Sequence, residues 1–75
     1  MRITVKLIGP LIYSAGFSEK EVDLTGPASA EDLLARFNIE RNRPTIITCN
    51  GKAVAPADPL KDGDGVVISP IYSGG

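Results

Sequence analysis

The chain has no histidine and a single cysteine, Cys49, among its 75 residues. Histidine is the commonest metal ligand and general base in proteins, and a lone thiol cannot form an internal disulfide. Zinc sites and iron–sulfur clusters need several cysteine or histidine ligands. The composition therefore predicts that the chain itself holds no metal centre and binds no cofactor.

Basic clusters and long apolar runs are also scarce. Eight lysines and arginines stand against nine aspartates and glutamates, a formal net charge of −1, and the densest basic group is the loose Arg41-Asn42-Arg43. Nucleic-acid binding depends on basic patches, so we expect no nucleic-acid partner. No stretch approaches the length of a membrane span, and residues 1–8 lack the apolar core of a signal peptide. We expect a cytoplasmic protein with no membrane partner.

The length predicts one small domain over residues 1–75, with room for one sheet and one or two helices. Ile3, Val5 and Leu7 alternate with polar residues, as in a strand with one buried face. After the segment 11–16, residues 17–24 continue this pattern and predict a second strand.

A helix signal follows the two strands. Ser29 is a good N-cap, and Asp32 three residues later completes a capping arrangement. The apolar spacing behind this cap predicts an amphipathic helix whose buried stripe is Ala30, Leu33, Leu34 and Phe37.

The second half of the chain predicts three more strands. Residues 45–49 and 52–54 flank Asn50-Gly51, the strongest short hairpin signal, and residues 66–69 form the last strand. Two strands, a helix and later strands indicate the α+β class. We predict a ubiquitin-like β-grasp, with a mixed sheet of four to five strands and one main helix across one face.

The chain ends in Ser73-Gly74-Gly75. Glycine has no Cβ, so this end is a narrow peptide suited to threading into another protein's active site. Residues 70–75 are predicted to form a flexible tail that reaches about 20 Å when extended. This end suggests that the main-chain carboxylate of Gly75 is the reactive group.

Motifs in a recognisable order span almost the whole chain. They are residues 3–7, the helix entry 29–34, the Asn-Gly segment 47–52, the Leu-x-Asp-Gly-Asp segment 60–68, and the terminal Gly74-Gly75. Together they resemble the MoaD/ThiS family of sulfur carrier proteins, small β-grasp domains that end in Gly-Gly. The resemblance supports the predicted fold and the assignment of Gly75 as the reactive residue.

The resemblance implies that the chain works with partner enzymes and is not itself an enzyme. An adenylyltransferase similar to ubiquitin-activating enzymes would join the Gly75 carboxylate to AMP from ATP, with magnesium balancing phosphate charge on that partner. A sulfurtransferase would deliver sulfur as a persulfide and leave a thiocarboxylate on Gly75. The chain would contribute the position of an unhindered carbonyl.

The sulfur acceptor separates two branches of the family. MoaD-type carriers insert their tail into the large subunit of molybdopterin synthase, for the molybdenum or tungsten cofactor, whereas ThiS-type carriers feed thiazole synthase for thiamine. The MoaD pattern commonly has two prolines before the tail. Pro70 matches the first and Ile71 stands at the second, whereas ThiS tails usually lack a proline at the Pro70 position. We favour the MoaD-like function.

Two other functions would use the same features. A ubiquitin-like protein modifier would join its activated Gly75 to a lysine amine of a target, and nothing in the sequence separates this outcome from sulfur transfer. A plain binding module would act through its surface and would keep its function without Gly75.

Apolar residues near the tail are candidates for partner binding, because exposed apolar patches mark interaction sites. The predicted docking residues are Pro70, Ile71 and Tyr72, followed by the tail residues Ser73 and Gly74. The predicted patch also includes Leu11, Ile12, Tyr13 and Phe17, of which we expect some to belong to the core.

Two further interpretations concern residues far from the tail. Cys49 shares the parity of Ile47 in a strand, which predicts core packing rather than a role in sulfur relay. Lys61, Asp62 and Asp64 are predicted to be solvated turn residues.

Overall fold

A computed structural model describes residues 1–39 and 44–71 of the chain. The described residues form the strands β1 (Arg2–Leu7), β2 (Glu19–Asp23), β3 (Thr45–Cys49), β4 (Lys52–Val54) and β5 (Gly65–Pro70), and the helices α1 (Leu11–Ala15) and α2 (Ala30–Arg36). Neither helix has a length or apolarity that would let it cross a bilayer.

The strands form one mixed sheet of order β2-β1-β5-β3-β4. β1 and β5 are parallel at its centre, and every other neighbouring pair is antiparallel. The helix α2 covers one face. This arrangement confirms the predicted α+β class and the β-grasp order of strands and helix.

The core lies between the sheet and α2. Alternate residues of β1, β5 and β3 point toward the helix, and the buried side chains are Ile3, Val5, Leu7, Leu11, Val22, Ala30, Leu33, Leu34, Phe37, Ile39, Ile47, Leu60, Val66 and Ile68. Each fully buried aliphatic side chain stabilises the fold by about 1.5–3 kcal/mol relative to an exposed one. The predicted helical stripe is therefore confirmed as core.

Two local sequence signals are found as predicted. Ser29 is the extended N-cap of α2, and its backbone N–H and hydroxyl both lie against Asp32 Oδ2, at 2.7 and 3.2 Å. Asn50 and Gly51 have φ values of 53° and 85°, as a type I′ turn requires, so the β3–β4 hairpin forms at the expected place.

The structure corrects the boundaries of three segments. Residues 11–15 form the helix α1, which ends at Gly16 with φ of 86°. They show no helical periodicity in the sequence because they make little more than one turn. β2 begins at Glu19 rather than at Phe17. β5 runs through Pro70, which pairs with Thr45, so Pro70 belongs to the sheet and not to the predicted tail 70–75.

We expect Phe37→Ala to lower the free energy of unfolding by about 3–5 kcal/mol, because it leaves a cavity in the core. Phe37 is 9% exposed, and its ring meets that of Phe17 edge-on at a centroid distance of 4.8 Å. Urea denaturation measures the loss. Tyr13→Ala is the control, since Tyr13 is 89% exposed and its removal should change stability by less than about 0.5 kcal/mol. Equal effects of the two variants would contradict this assignment of the core.

Candidate functional site

The predicted tail follows the central strand β5 in the sequence. Outside the described residues lie Tyr72, Ser73, Gly74 and Gly75. The described part of the candidate site is the end of β5 and the residues around it. Pro70 is half-buried and ends β5. The backbone N–H of Ile71 donates to the carbonyl oxygen of Pro44 at 3.2 Å, which extends the β3–β5 ladder by one hydrogen bond.

The face of the sheet opposite α2 is open, and its tail end is apolar. Ile46 is 46% exposed on β3, Ile71 is 50% exposed after β5, and Ile8 is 38% exposed after β1. Half-buried Ser69 of β5 lies between Ile46 and Ile8, and half-buried Val67 lies two residues earlier on the same face of β5. We call these four residues, Ile8, Ile46, Val67 and Ile71, the apolar strip.

Backbone register places the apolar strip beside the start of the tail. Ile46 is opposite Ser69, two residues before Ile71. The N–H of Ile8 donates to the carbonyl oxygen of Ile68 at 3.1 Å, which aligns the end of β1 with the end of β5. An exposed apolar group next to the C-terminal segment fits a surface that docks a partner.

The other end of the open face is charged. The Arg2 guanidinium contacts Asp23 Oδ1 at 3.0 Å and Glu21 Oε2 at 3.8 Å. The hydrogen bond and charge of Asp23 raise the pKa of Arg2, and Arg2 in turn lowers the pKa of Asp23. These groups are well exposed, so the ion pairs add little stability. The open face therefore has a charged end, formed by Arg2, Glu21 and Asp23, and an apolar end, formed by the apolar strip.

The sheet edges are poorly suited to pairing with another chain. β2 presents mainly charged residues, with the Lys20 ammonium 5.7 Å from the Phe17 ring centroid, and β4 has three residues. Charged or very short edge strands discourage strand addition. Among the described residues, the apolar strip is therefore the better candidate for partner docking.

The structure revises the predicted patch around the tail. Leu11 is 1% exposed and belongs to the core, Phe17 packs on Phe37, and Ile12 is half-buried, so Tyr13 on α1 is the fully exposed member. Ile8 and Ile46 were missed. The sequence contained a signal for both, because each is adjacent to a core-facing residue, Leu7 or Ile47. Neighbouring residues of a strand point to opposite faces of the sheet.

Asp64 is not a solvated turn residue as predicted, since it is only 8% exposed. Its carboxylate accepts hydrogen bonds from the Lys61 backbone N–H at 2.7 Å and from Asn50 Nδ2 at 3.0 Å. Asn50 Oδ1 accepts from the Gly65 N–H at 2.9 Å. We call these contacts the Asn50–Asp64 clamp. It ties the β3–β4 turn to the first residue of β5.

The Asp64 carboxylate of this clamp and the Cys49 thiol also shift each other's pKa. The Lys61 N–H and then the Cys49 thiol hold the pKa of Asp64 below its usual range. Burial, and then the Asp64 carboxylate, raise the pKa of the Cys49 thiol. Cys49 is half-buried against the core, as its parity predicted, and a raised pKa makes it a poor nucleophile at neutral pH.

The strand order and the helix across one face define a ubiquitin-like β-grasp protein. The chain belongs to the ThiS family, whose model matches residues 5–75. It is thus a member of a family of small, ubiquitin-like sulfur carrier proteins that work with partner enzymes, which confirms the resemblance seen in the sequence.

Solved structures share the fold over essentially the whole chain. SAMP1 from Haloferax volcanii is 25% identical, with full coverage of both chains and a TM-score of 0.78. A protein assigned as molybdopterin converting factor subunit 1 from Pyrococcus furiosus is 26% identical, with 96% of this chain and 99% of that chain covered and a TM-score of 0.78.

A third structure is a complex of subunits 1 and 2 of molybdopterin-converting factor from Helicobacter pylori. Its matching chain is 21% identical, with full coverage of both chains and a TM-score of 0.66. At this identity the likeness concerns the fold alone.

We expect Asp64→Asn to remove acid-sensitive stability. Because folding lowers the pKa of Asp64, its carboxylate stabilises the fold above the ordinary aspartate pKa of about 3.9, and this contribution is lost as the pH falls through the folded value. At pH 7 the variant should lose about 1.5–3 kcal/mol, the typical value of hydrogen bonds to a charged group.

Urea titrations at neutral and acidic pH test this expectation. The difference between wild type and Asp64→Asn should shrink in acid. Asp62→Asn is the control, because exposed Asp62 accepts one hydrogen bond, from the Arg2 N–H at 2.7 Å. A difference between wild type and Asp64→Asn that stays constant with pH would refute the role of the charge.

Proposed function

We propose that this chain is a sulfur carrier whose Gly75 carboxylate is adenylated by a partner enzyme and converted to a thiocarboxylate that donates sulfur in molybdopterin biosynthesis. The match of the ThiS family model up to residue 75 carries the proposal. The fold supports it, since Ser73-Gly74-Gly75 follows the central strand β5 in the sequence and the apolar strip lies beside the end of β5.

The chemistry requires an activating partner. An α-carboxyl group has a pKa of roughly 3.3–3.7, so at neutral pH it is an anion and a poor electrophile. An adenylyltransferase similar to ubiquitin-activating enzymes joins this carboxylate to AMP and releases pyrophosphate from ATP, with magnesium held by that partner. A persulfide from a sulfurtransferase then displaces AMP, and a thiol cleaves the S–S bond to leave the thiocarboxylate.

The residues of the chain contribute position rather than catalysis. β5 is hydrogen-bonded to β1 and β3, so the start of the tail is held on a rigid body. The apolar strip gives a partner a surface to dock on while the narrow glycine end enters its active site. Holding the carboxylate in place converts a bimolecular encounter into a step within one complex.

The molybdopterin pathway is the preferred assignment among related ones. Likeness to the Pyrococcus furiosus protein and the proline at position 70 support it, with the large subunit of molybdopterin synthase as the sulfur-accepting partner. Membership of the ThiS family is equally consistent with the alternative, a ThiS-like carrier for thiazole synthase. Likeness to SAMP1, whose full name is small archaeal modifier protein 1, at the same TM-score of 0.78 supports a protein modifier conjugated through Gly75 as a second alternative.

The terminal residues provide the direct test. We expect deletion of Gly75, or addition of one residue after it, to abolish ATP–pyrophosphate exchange with the cognate activating enzyme, because either change moves the carboxylate by about 3.5 Å. Gly74→Ala should slow exchange through its added Cβ. Urea denaturation should show unchanged stability for all three variants.

The product is identified by intact mass after incubation with ATP, the activating enzyme and a sulfur source. Replacement of one oxygen by sulfur marks a thiocarboxylate, whereas conjugates to lysine mark a modifier. If the deletion and the extension both exchange as fast as wild type, Gly75 is not the reactive group and the proposal is wrong.

Docking through the apolar strip is tested separately. We expect Ile46→Ser to weaken binding to the activating enzyme about tenfold or more, a loss of about 1.4 kcal/mol, because aliphatic anchors contribute strongly to interfaces. Stability should be little changed, since Ile46 is 46% exposed. Lys52→Ser on β4 is the control for an exposed residue outside the strip. Calorimetry that gives equal affinities for both variants and wild type would place docking elsewhere.

A further inference from the structure

Asn50 and Gly51 form a dipeptide with a chemistry of its own. The backbone nitrogen of the residue after an asparagine can attack the side-chain carbon Cγ, and glycine hinders this attack least because it has no side chain. Both residues are exposed at the tip of the β3–β4 hairpin, and a Cβ built on Gly51 would have open space around it. The turn is therefore accessible to water, and Gly51 adds no steric barrier.

The Asn50–Asp64 clamp holds the side-chain amide away from this reaction. Asn50 Nδ2 donates to Asp64 Oδ1 at 3.0 Å, and Asn50 Oδ1 accepts from the Gly65 N–H at 2.9 Å. Both ends of the amide are thus bonded to the segment that begins β5. The attack requires the amide to turn toward the Gly51 nitrogen, so both hydrogen bonds must break first. Reaction in the folded protein has to wait for this local opening.

We infer that Asn50 is a deamidation site whose rate the Asn50–Asp64 clamp controls. When the clamp opens, a bond forms between the Gly51 nitrogen and Cγ of Asn50, and the Cγ–Nδ2 bond breaks. Nδ2 leaves as ammonia, with the proton that the Gly51 nitrogen gives up. Water then opens the five-membered imide and leaves aspartate or isoaspartate at position 50.

Neither product can restore the clamp. In the aspartate product, a carboxylate oxygen replaces the Nδ2 donor that lies 3.0 Å from the Asp64 carboxylate, so repulsion between like charges replaces a hydrogen bond. Isoaspartate adds a carbon to the main chain of a two-residue turn whose geometry is specific. The modification is therefore irreversible, and it loosens the contact between the β3–β4 turn and Gly65.

In the wild type, the clamp should slow deamidation. Mass spectrometry of tryptic peptides during incubation at neutral pH measures the fraction of Asn50 converted. We expect Asn50 to react at least about tenfold more slowly in the protein than in an unstructured peptide of residues 46–54, because opening comes first. Asn38, exposed at φ of 57° and followed by the bulky Ile39, is the internal control and should stay unmodified. Equal rates for Asn50 in protein and peptide would overturn the inference.

Matched variants distinguish clamp opening from global unfolding. Asp64→Ala removes the acceptor of Nδ2 and should raise the rate at Asn50 about fivefold or more. Asp62→Ala removes an exposed carboxylate that accepts from the Arg2 N–H at 2.7 Å, and should react as wild type. Val22→Ala weakens the core on β2, where Val22 is 3% exposed, and should also keep the wild-type rate. If Val22→Ala accelerates the reaction as much as Asp64→Ala, unfolding exposes Asn50 and the inference is wrong.

The effect of the product is measured directly, even if Asp64→Ala fails to fold. Asn50→Asp copies the aspartate product and should lower the urea midpoint of unfolding at neutral pH. Asn38→Asp makes the same change at an exposed asparagine of similar φ and should lower the midpoint less. Equal midpoints for Asn50→Asp and wild type would overturn the inference, because the clamp would then tolerate the product. None of these measurements uses the activating enzyme, so their outcome is independent of the proposed role of Gly75.

Discussion

Strand β5 is hydrogen-bonded along both of its edges, and most other features of the molecule depend on this position. It runs parallel to β1 and antiparallel to β3, so a segment close to the C-terminus occupies the centre of the sheet. Val66 and Ile68 of β5 are 1% and 0% exposed and join the two halves of the core. The central pairing holds the chain through Pro70, which is opposite Thr45.

The Asn50–Asp64 clamp specifies where this central strand begins. Asn50 exchanges hydrogen bonds with Gly65, donating its backbone N–H to the Gly65 carbonyl oxygen at 2.8 Å and accepting from the Gly65 N–H at 2.9 Å through Oδ1. A slip of one residue would turn every side chain of β5 to the opposite face. The buried Asp64 carboxylate holds Asn50 in place, so a polar contact far from the tail secures the register that places Ile71.

This architecture suits a chain that carries a reactive group for other proteins. The body presents a charged end and an apolar end on its open face, and β5 ends beside the apolar end. Such a fold does not by itself choose between sulfur transfer and conjugation, since both need the same activated terminus and function resides in sites rather than in folds.

Local patterns in the sequence were sufficient to predict much of the fold. Period-two alternation located the strands, Ser29 and Asp32 marked the start of α2, and Asn50-Gly51 marked the hairpin, because each depends on neighbouring residues. These strand, cap and turn signals are short-range, so the sequence by itself determined them. The family motifs and the terminal glycines predict Gly75 as the reactive residue.

The tertiary structure decided which residues are covered and where β5 ends. Parity showed that Ile46 and Ile47 face opposite sides, but only the packing of α2 leaves Ile46 exposed and buries Ile47 at 3% exposure. The turn sequence around Asp64 predicts an exposed residue, but its carboxylate accepts a hydrogen bond from Asn50, 14 residues away in the sequence. The N–H of Ile71 donates to the carbonyl oxygen of Pro44, which is far away in the sequence. Each of these depends on contacts between distant segments, which local sequence patterns do not encode.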